Sequence, residues 1–481
     1  MERRDFLRKS VSAGVTAWTA VSASRVLGAN DRLNVGLIGC GGRGTFDARL
    51  MRGTPEDIQA VAPENYHDGN LDPRLKEPRN VDIMALCDCY GSRMDSAKKW
   101  TPQAKTYDDF RKLLADKSVD AVIIATQDQW HAQMMILACE AGKDVYLEKP
   151  VVYRVGEAQA MINAVRRNKR IVQIGTQHRA ADHMAEAARI VQGGKLGEVQ
   201  FVRVWNYMAG GFGSQPVPDS EPPADLNWDA WLGPAPKVPF NRSRLSYRSF
   251  MDYTNGIISD YGNHRFDTVH QIMGQEIPLT VASSAVRFRK QRAGDIYDMQ
   301  QATYEYPNFI MSYESSNYNG HGVGGRTEGM RYYGMRGSDD RPHGMAFYGT
   351  DATLFVDRIG MELYPEGSGG PRGAGRRGGG SAAAPAAPSA RPARMHMNED
   401  EPTPLHTKYF VDNVRARKDP FANIEVGARA TAIACMGNVA YWTGRKLKWD
   451  PKTWSFVGDA EANKHTFRPN RKPWDLVKFS S

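Results

Sequence analysis

Cysteine is scarce in this chain: five in 481 residues, Cys40, Cys87, Cys89, Cys139 and Cys435, an odd number with no CxxC pair. That pattern excludes a disulfide framework and a zinc ribbon, and no metal site is expected. Cys87 and Cys89, at the end of an apolar run, read as small buried apolar residues. Excess charge in the body is equally thin. Of the formal +9, residues 1–30 carry three and Gly367 to Arg394, with five arginines and no acid, carry five. A near-neutral remainder offers no basic track for phosphates, so no nucleic-acid partner is expected. Beyond the first thirty residues there is no long apolar run of the kind that spans a membrane. What remains is ordinary globular composition, 41% hydrophobic and 24% charged, long enough for two packed domains.

The first thirty residues read as an address. Arg3-Arg4-Asp5-Phe6-Leu7-Arg8-Lys9 precedes a small, mostly apolar run from Val11 to Leu27, the layout of a twin-arginine export signal. Residues 1–30 are therefore set apart from the fold. The twin-arginine machinery is an expected partner, and the expected location is the periplasm or another exported compartment.

The next stretch carries chemistry. Leu33 to Ile38 reads as a buried strand running into Gly39-Cys40-Gly41-Gly42-Arg43-Gly44, with a helix through Phe46 to Met51. In that context GxGxxG is a dinucleotide cradle. Gly39 permits the tight turn, Gly41 admits the pyrophosphate, Gly44 lets helix and strand pack closely, and the helix N-terminus, with Gly42 and Arg43, faces phosphate. The second requirement is an acid after the next strand. Val81 to Cys87 is that strand and Asp88 the acid, 44 residues beyond Gly44 rather than about 20. Thr54 to Asn80, rich in Pro, Asn and Asp, accounts for the excess as a surface excursion. An acid at this position favours NAD, and the nearby Arg93 keeps NADP open.

Ala121 to Thr126 is a further strand, leading through a polar loop to His131 and a helix to Gly142. The strand Asp144 to Leu147 then ends in Glu148-Lys149-Pro150. Strands alternating with helices define an α/β Rossmann domain, a doubly wound parallel sheet, over residues 31–175. Ligands of such sheets gather at the carboxyl ends of the strands. Thr126, His131, Glu148 and Lys149, with Gln177 beyond the sheet, therefore join Gly39, Gly41, Gly42, Arg43, Gly44 and Asp88 as expected cofactor contacts. An exported protein finds little dinucleotide outside the cell, so the cofactor is expected to be tightly bound.

Taken together the motifs resemble the Gfo/Idh/MocA oxidoreductases. The likeness is carried by Gly39 to Gly44, the Thr126 to His131 loop, Ala141-Gly142-Lys143-Asp144-Val145 leading to Glu148-Lys149-Pro150, and Asp260-Tyr261-Gly262-Asn263-His264-Arg265-Phe266-Asp267. Phe410 to Asn413 and Gly437 to Tyr441 add to it. The resemblance implies that Lys149 touches both nicotinamide ribose and substrate hydroxyl, and that Asp260 and His264 complete the catalytic group. If Asp260 opens a helix, His264 and Asp267 share its face. Imidazole suits proton removal from a hydroxyl and a lysine ammonium suits polarising the oxygen, which makes His264 the general base. Apart from the resemblance, these residues read as a helix cap, a core histidine and a solvated strand-end charge. A cis peptide before Pro150 would fix a tight turn there.

Residues 176–470 read as an α+β domain with a large open, mainly antiparallel sheet. Its strands are Val199 to Tyr207, Ile277 to Arg287, Ala302 to Tyr306, Phe309 to Tyr313 and Gly344 to Tyr348. An uncovered sheet face calls for a partner copy, hence a homo-oligomer, dimer or tetramer. The Gly210 to Pro239 stretch carries Trp228 and Trp231, read as packing residues with sugar stacking as the alternative. Ser315 to Arg326, with Asn317, Tyr318, Asn319 and His321, reads as a mobile loop over the substrate. Gly367 to Arg394 cannot bury a core and is expected to be disordered. The expected function is hydride transfer to or from a hydroxyl of a sugar, cyclitol or glycoside. Two alternatives stand beside it: a glycoside-cleaving enzyme that oxidises its sugar transiently before elimination, and a non-catalytic sugar-binding protein on the same fold.

Overall fold

The computed structural model describes residues 32–67, 69–208, 210–274, 277–320, 341–366 and 401–479. The export signal, the disorder expected of 367–394 and the loop from His321 onward lie outside the described residues.

The apolar runs form the expected first sheet. Its strands are β1 (Leu33–Ile38), β2 (Val81–Cys87), β3 (Lys105–Tyr107), β4 (Ala121–Ile124), β5 (Asp144–Leu147) and β6 (Val172–Ile174). They lie parallel in the order β3-β2-β1-β4-β5-β6, the doubly wound arrangement whose switch point falls between β1 and β4. β4 and β5 are wholly buried, as central strands covered on both faces must be. Register aligns their carboxyl ends: Ile38 stands beside both Cys87 and Ile124, Ile124 beside Leu147, and Leu147 beside Ile174. The residues that follow, Gly39, Asp88, Ala125, Glu148 and Gly175, therefore share one rim.

The second sheet holds β7 (Val199–Tyr207), β8 (Thr280–Val286), β9 (Met299–Glu305), β10 (Ile310–Ser316), β11 (His343–Gly349), β12 (Ala352–Val356), β13 (Met361–Pro365), β14 (Leu447–Asp450) and β15 (Ser455–Phe456). The order is β13-β12-β11-β7-β10-β9-β8-β14-β15. All neighbours are antiparallel except β7 and β10, which run parallel. Alternation sorts its faces: on β9, Gln300, Ala302 and Tyr304 are buried while Met299, Gln301 and Thr303 are exposed. The buried face packs beneath the helices Asp182–Gln192, Gly262–Met273 and Ile424–Thr443.

Three expectations need correcting. Thr54 to Asn80 is folded: it contains the helix Pro55–Val61, capped by Thr54, and a two-residue hairpin. Ile58, Ala62, Leu71 and Leu75 pack there against Leu50, Ala180 and Leu405. The chain also does not divide cleanly near residue 175. The helix Thr403–Ala416 returns to the first domain, where Phe410, Val411 and Val414 join Leu33, Val35 and Ile83 in one core; burying Phe410 alone contributes about 2 kcal/mol. Finally, the C-terminal tail runs past residue 470 and back to the helix Asp128–Glu140 of the first domain. Trp474 meets Trp130 edge to face at 5.4 Å, and Gln133 holds the tail backbone at Trp474 and Leu476.

Candidate active site

At the rim, the helix Gly42–Arg52 starts without a side-chain cap and without an acid in its first turn, so its free N–H groups and positive dipole face the crevice. Gly39 has φ +94°, and a Cβ there would run into the Ala125 carbonyl; one at Gly44 would run into the Gly39 carbonyl. Nothing lies within 4 Å of where a Gly42 Cβ would be. The loop is thus pressed against the sheet on one side and open on the other, which is the space a pyrophosphate takes. Asp88 supports the same fit. Its carboxylate accepts the Cys40 N–H at 2.8 Å and the Tyr90 N–H at 3.0 Å, leaving lone pairs for ribose hydroxyls. Burial pushes its pKa up, with Arg93 opposing. Gly39, Gly41, Asp88, Thr126 and Lys149 all line one cavity of about 720 Å³, ample for a dinucleotide site. NAD would be held here.

Arg43, expected at the phosphates, is otherwise committed. Its Nε lies 3.0 Å from Glu148 and its Nη2 3.0 Å from the buried Asp47, so its charge is spent on two carboxylates at the cavity wall. His131 is a correction. Its ring nitrogens face the Pro150 carbonyl at 2.6 Å and the Thr126 carbonyl at 3.2 Å. Buried beneath the crevice, it fastens one rim loop to another rather than touching cofactor. Gln177 is likewise buried off the cavity wall.

The peptide before Pro150 is cis, as the sequence led us to expect. Lys149 Nζ reaches Asp260 Oδ1 at 2.6 Å and the Asp260 carbonyl at 3.0 Å. Arg248 Nε takes the other carboxylate oxygen at 3.0 Å. Burial alone would raise the Asp260 pKa, but Arg248 and Lys149 hold it well below the usual carboxylate range. Asp260 closes the short helix Ile257–Asp260 instead of opening one. Asp267 is turned away into a buried ion pair with Arg179 at 2.8 Å, so it does not join Asp260 and His264 on one working face.

His264 occupies the first turn of Gly262–Met273. Its Nδ1 is buried without a hydrogen-bond partner, and burial, then Lys149 and neighbouring arginines, drive its pKa well below the ordinary value. The ring is therefore neutral at neutral pH, the form in which it can accept a proton. Asp128, buried nearby, is pushed up to about 7 by burial first and then by Asp260.

Sequence reasoning missed Arg248, which lies in a stretch without periodicity, and Trp474, which lines the cavity from the far end of the chain. It also missed Asn317 as a buried fastener: its side chain accepts the Phe212 N–H at 2.6 Å and donates to the Phe212 carbonyl at 3.2 Å. Trp228 and Trp231 stack on each other at 4.6 Å and pack on Phe240 and Tyr253, with Trp231 buried and Trp228 partly buried against it.

Fold and cleft together define a two-domain protein of the NAD-binding oxidoreductase class. The oxidoreductase family profile for the NAD-binding Rossmann fold matches residues 33–176, and that for the C-terminal alpha/beta domain matches 189–335 and 389–476. The chain belongs to the Gfo/Idh/MocA oxidoreductase family. It is similar to the inositol 2-dehydrogenase of Salmonella typhimurium, with 34% identity over 131 residues, covering 27% of this chain and only 39% of that enzyme. Among solved structures it shares its fold with a levoglucosan dehydrogenase in complex with NADH and levoglucosan, at TM-score 0.59 and 17% identity. It also shares it with the aldose-aldose oxidoreductase of Caulobacter crescentus complexed with glycerol, at TM-score 0.57 and 17% identity. Each covers 87% of this chain and 99% of its own.

Proposed function

We propose that this chain is an NAD(H)-dependent oxidoreductase acting on a hydroxyl-bearing carbon of a sugar or cyclitol. The observation that carries the reading is Lys149, on the wall of the dinucleotide cleft, ion-paired to Asp260 and within the electrostatic reach of a neutral His264. Bound NAD(H) supplies or accepts the hydride. His264 takes the hydroxyl proton in the oxidative direction and returns it in the reductive one. Lys149 stabilises negative charge on that oxygen, and Asp260 keeps the ammonium aimed. The Asp88 carboxylate at the ribose end favours NAD over NADP by repelling a 2′-phosphate. The names of the related inositol and levoglucosan dehydrogenases support the substrate class.

The Arg3-Arg4 motif supports export by the twin-arginine route with the dinucleotide already bound. Met299 at 38% and Ile310 at 46% exposure, on the sheet face that no helix among the described residues covers, support a homo-oligomer built on that face. The direct test is to supply NAD with a panel of sugars and cyclitols and follow nicotinamide reduction. Turnover of at least one is expected, while dinucleotide binding with no hydride transfer to or from any of them would favour a sugar-binding role.

A further inference from the structure

The catalytic helix carries a second basic residue for which hydride transfer has no use. Arg265 is 4% exposed, yet its Nε and Nη1 have no hydrogen-bond partner. The acid that most influences it, Asp357, is engaged elsewhere. Asp357 Oδ1 accepts the Ile359 N–H at 2.7 Å and the Gly360 N–H at 3.1 Å, and Oδ2 faces Arg341. His264, its neighbour in the chain, and His178 lie within its electrostatic reach. His178 is 3% exposed with both ring nitrogens bare, and its ring lies 4.8 Å from that of His264, tilted by 31°.

A buried guanidinium whose N–H groups lack acceptors is destabilising, and so is a buried ring nitrogen without a partner. Three such groups in one place form a site that is complete only when something else supplies the acceptor. Burial, only partly offset by Asp357, pushes Arg265 down to about 10. His178 is held well below its ordinary range by burial and then by His264 and arginines. The bare Nε and Nη1 of Arg265 are the donors that an arriving anion would take.

We propose that Arg265 and His178, beside His264, hold an oxyanionic group of the substrate, so that the enzyme acts on an acidic sugar or cyclitol. This rests on the reading above, in which Lys149 and His264 work on a hydroxyl of the same molecule. The parallel N–H groups of a guanidinium match two oxygens at once, and His178 adds a further donor. The chemistry is common to a uronate carboxylate and a sugar phosphate.

Calorimetry on the full chain, with and without NADH, separates the possibilities, using D-glucuronate, D-galacturonate, glucose 6-phosphate, D-glucose and myo-inositol as probes. Acidic probes should bind about tenfold or more tightly than neutral ones, the scale of a buried charge-assisted hydrogen bond. Uronates ahead of glucose 6-phosphate assign a carboxylate, and the reverse order a phosphate. Arg265→Gln should erase the preference while melting at the same or a higher temperature, since an unpaired buried cation has been removed. Should that variant not fold, His178→Asn carries the same test. Equal affinity for acidic and neutral probes overturns the subsite, as does a preference that survives in the folded variants. A retained acidic preference in a protein that binds no NADH would instead remove the redox reading and leave the subsite standing.

Discussion

Lys149 and Asp260 are 111 residues apart in the chain and 2.6 Å apart in space, and their ion pair joins the rim of the parallel sheet to the helical layer of the second domain. The charge proposed to work on the substrate oxygen is therefore positioned by both domains. Arg248 on the far carboxylate oxygen fixes the pair from the cavity side.

Lys149→Ala should lower turnover by roughly 10² to 10⁴-fold, the usual range for a positioned proton-transfer or charge-stabilising group. NADH affinity should fall far less, because the cradle and Asp88 are untouched. Lys149→Arg should not rescue turnover, since a planar fork cannot replace a compact ammonium at Asp260. Steady-state kinetics alongside a fluorescence titration of NADH separates the two effects, and an equal loss in both would contradict the assignment.

Asp88→Asn should weaken NADH binding by about tenfold, the cost of a hydrogen bond to a charged acceptor, and narrow the preference for NADH over NADPH. Because Asp88 also accepts the Cys40 and Tyr90 N–H groups, stability should drop by about 1 kcal/mol. Titration with both dinucleotides and a denaturation curve read the two effects separately.

The cofactor side of the site was legible in the sequence because its parts are local. A strand, a glycine loop and a helix are contiguous, and Asp88, Thr126 and Lys149 each follow an apolar run. Asp260 and His264 were legible only through resemblance, since nothing near them in the chain marks the partner Lys149. Arg248, Trp474 and the returning helix Thr403–Ala416 act through tertiary contacts that no periodicity records. The Thr54 to Asn80 segment escaped because it is anchored by four scattered apolar residues, Ile58, Ala62, Leu71 and Leu75, and because its helix is short. The strand Leu447–Asp450 is four residues long with two of them charged.

Acid should loosen the fold well above the pH at which carboxylates protonate. His270 and His406 are pushed down to about 3, by burial first and then by neighbouring arginines. Unfolded, each titrates near 6.5. Between those values the unfolded chain binds more protons, so stability is full above about pH 6.5 and falls by about 1.4 kcal/mol per pH unit for each histidine as the pH is lowered. Asp260, held below its ordinary range, adds a loss only below about pH 4. The buried Asp128 and Glu157, pushed up to about 7, work in the opposite direction, so the histidine share is read as a difference. From about pH 7 to about pH 5.5 the urea midpoint of His270→Gln should fall less than that of the parent, and equal changes would count against a buried neutral histidine.

Trp474→Ala removes an edge-to-face partner of Trp130 and part of the cavity wall. A loss of roughly 1–3 kcal/mol in stability is expected for a half-buried aromatic, with weaker NADH binding. A variant with full affinity and an unchanged melting temperature would show that the returning tail takes no part in the site.

The central claim is that this fold carries a dinucleotide. Purified protein, never supplemented with cofactor, should be denatured and its supernatant assayed by absorbance and mass spectrometry. Release of about one NAD(H) per chain is the expected result, matching a cleft in which Gly41 and Lys149 would flank the dinucleotide. If none is released, and neither NAD nor NADP binds when added, the assignment of the glycine loop, Asp88 and Lys149 to a redox cofactor is wrong.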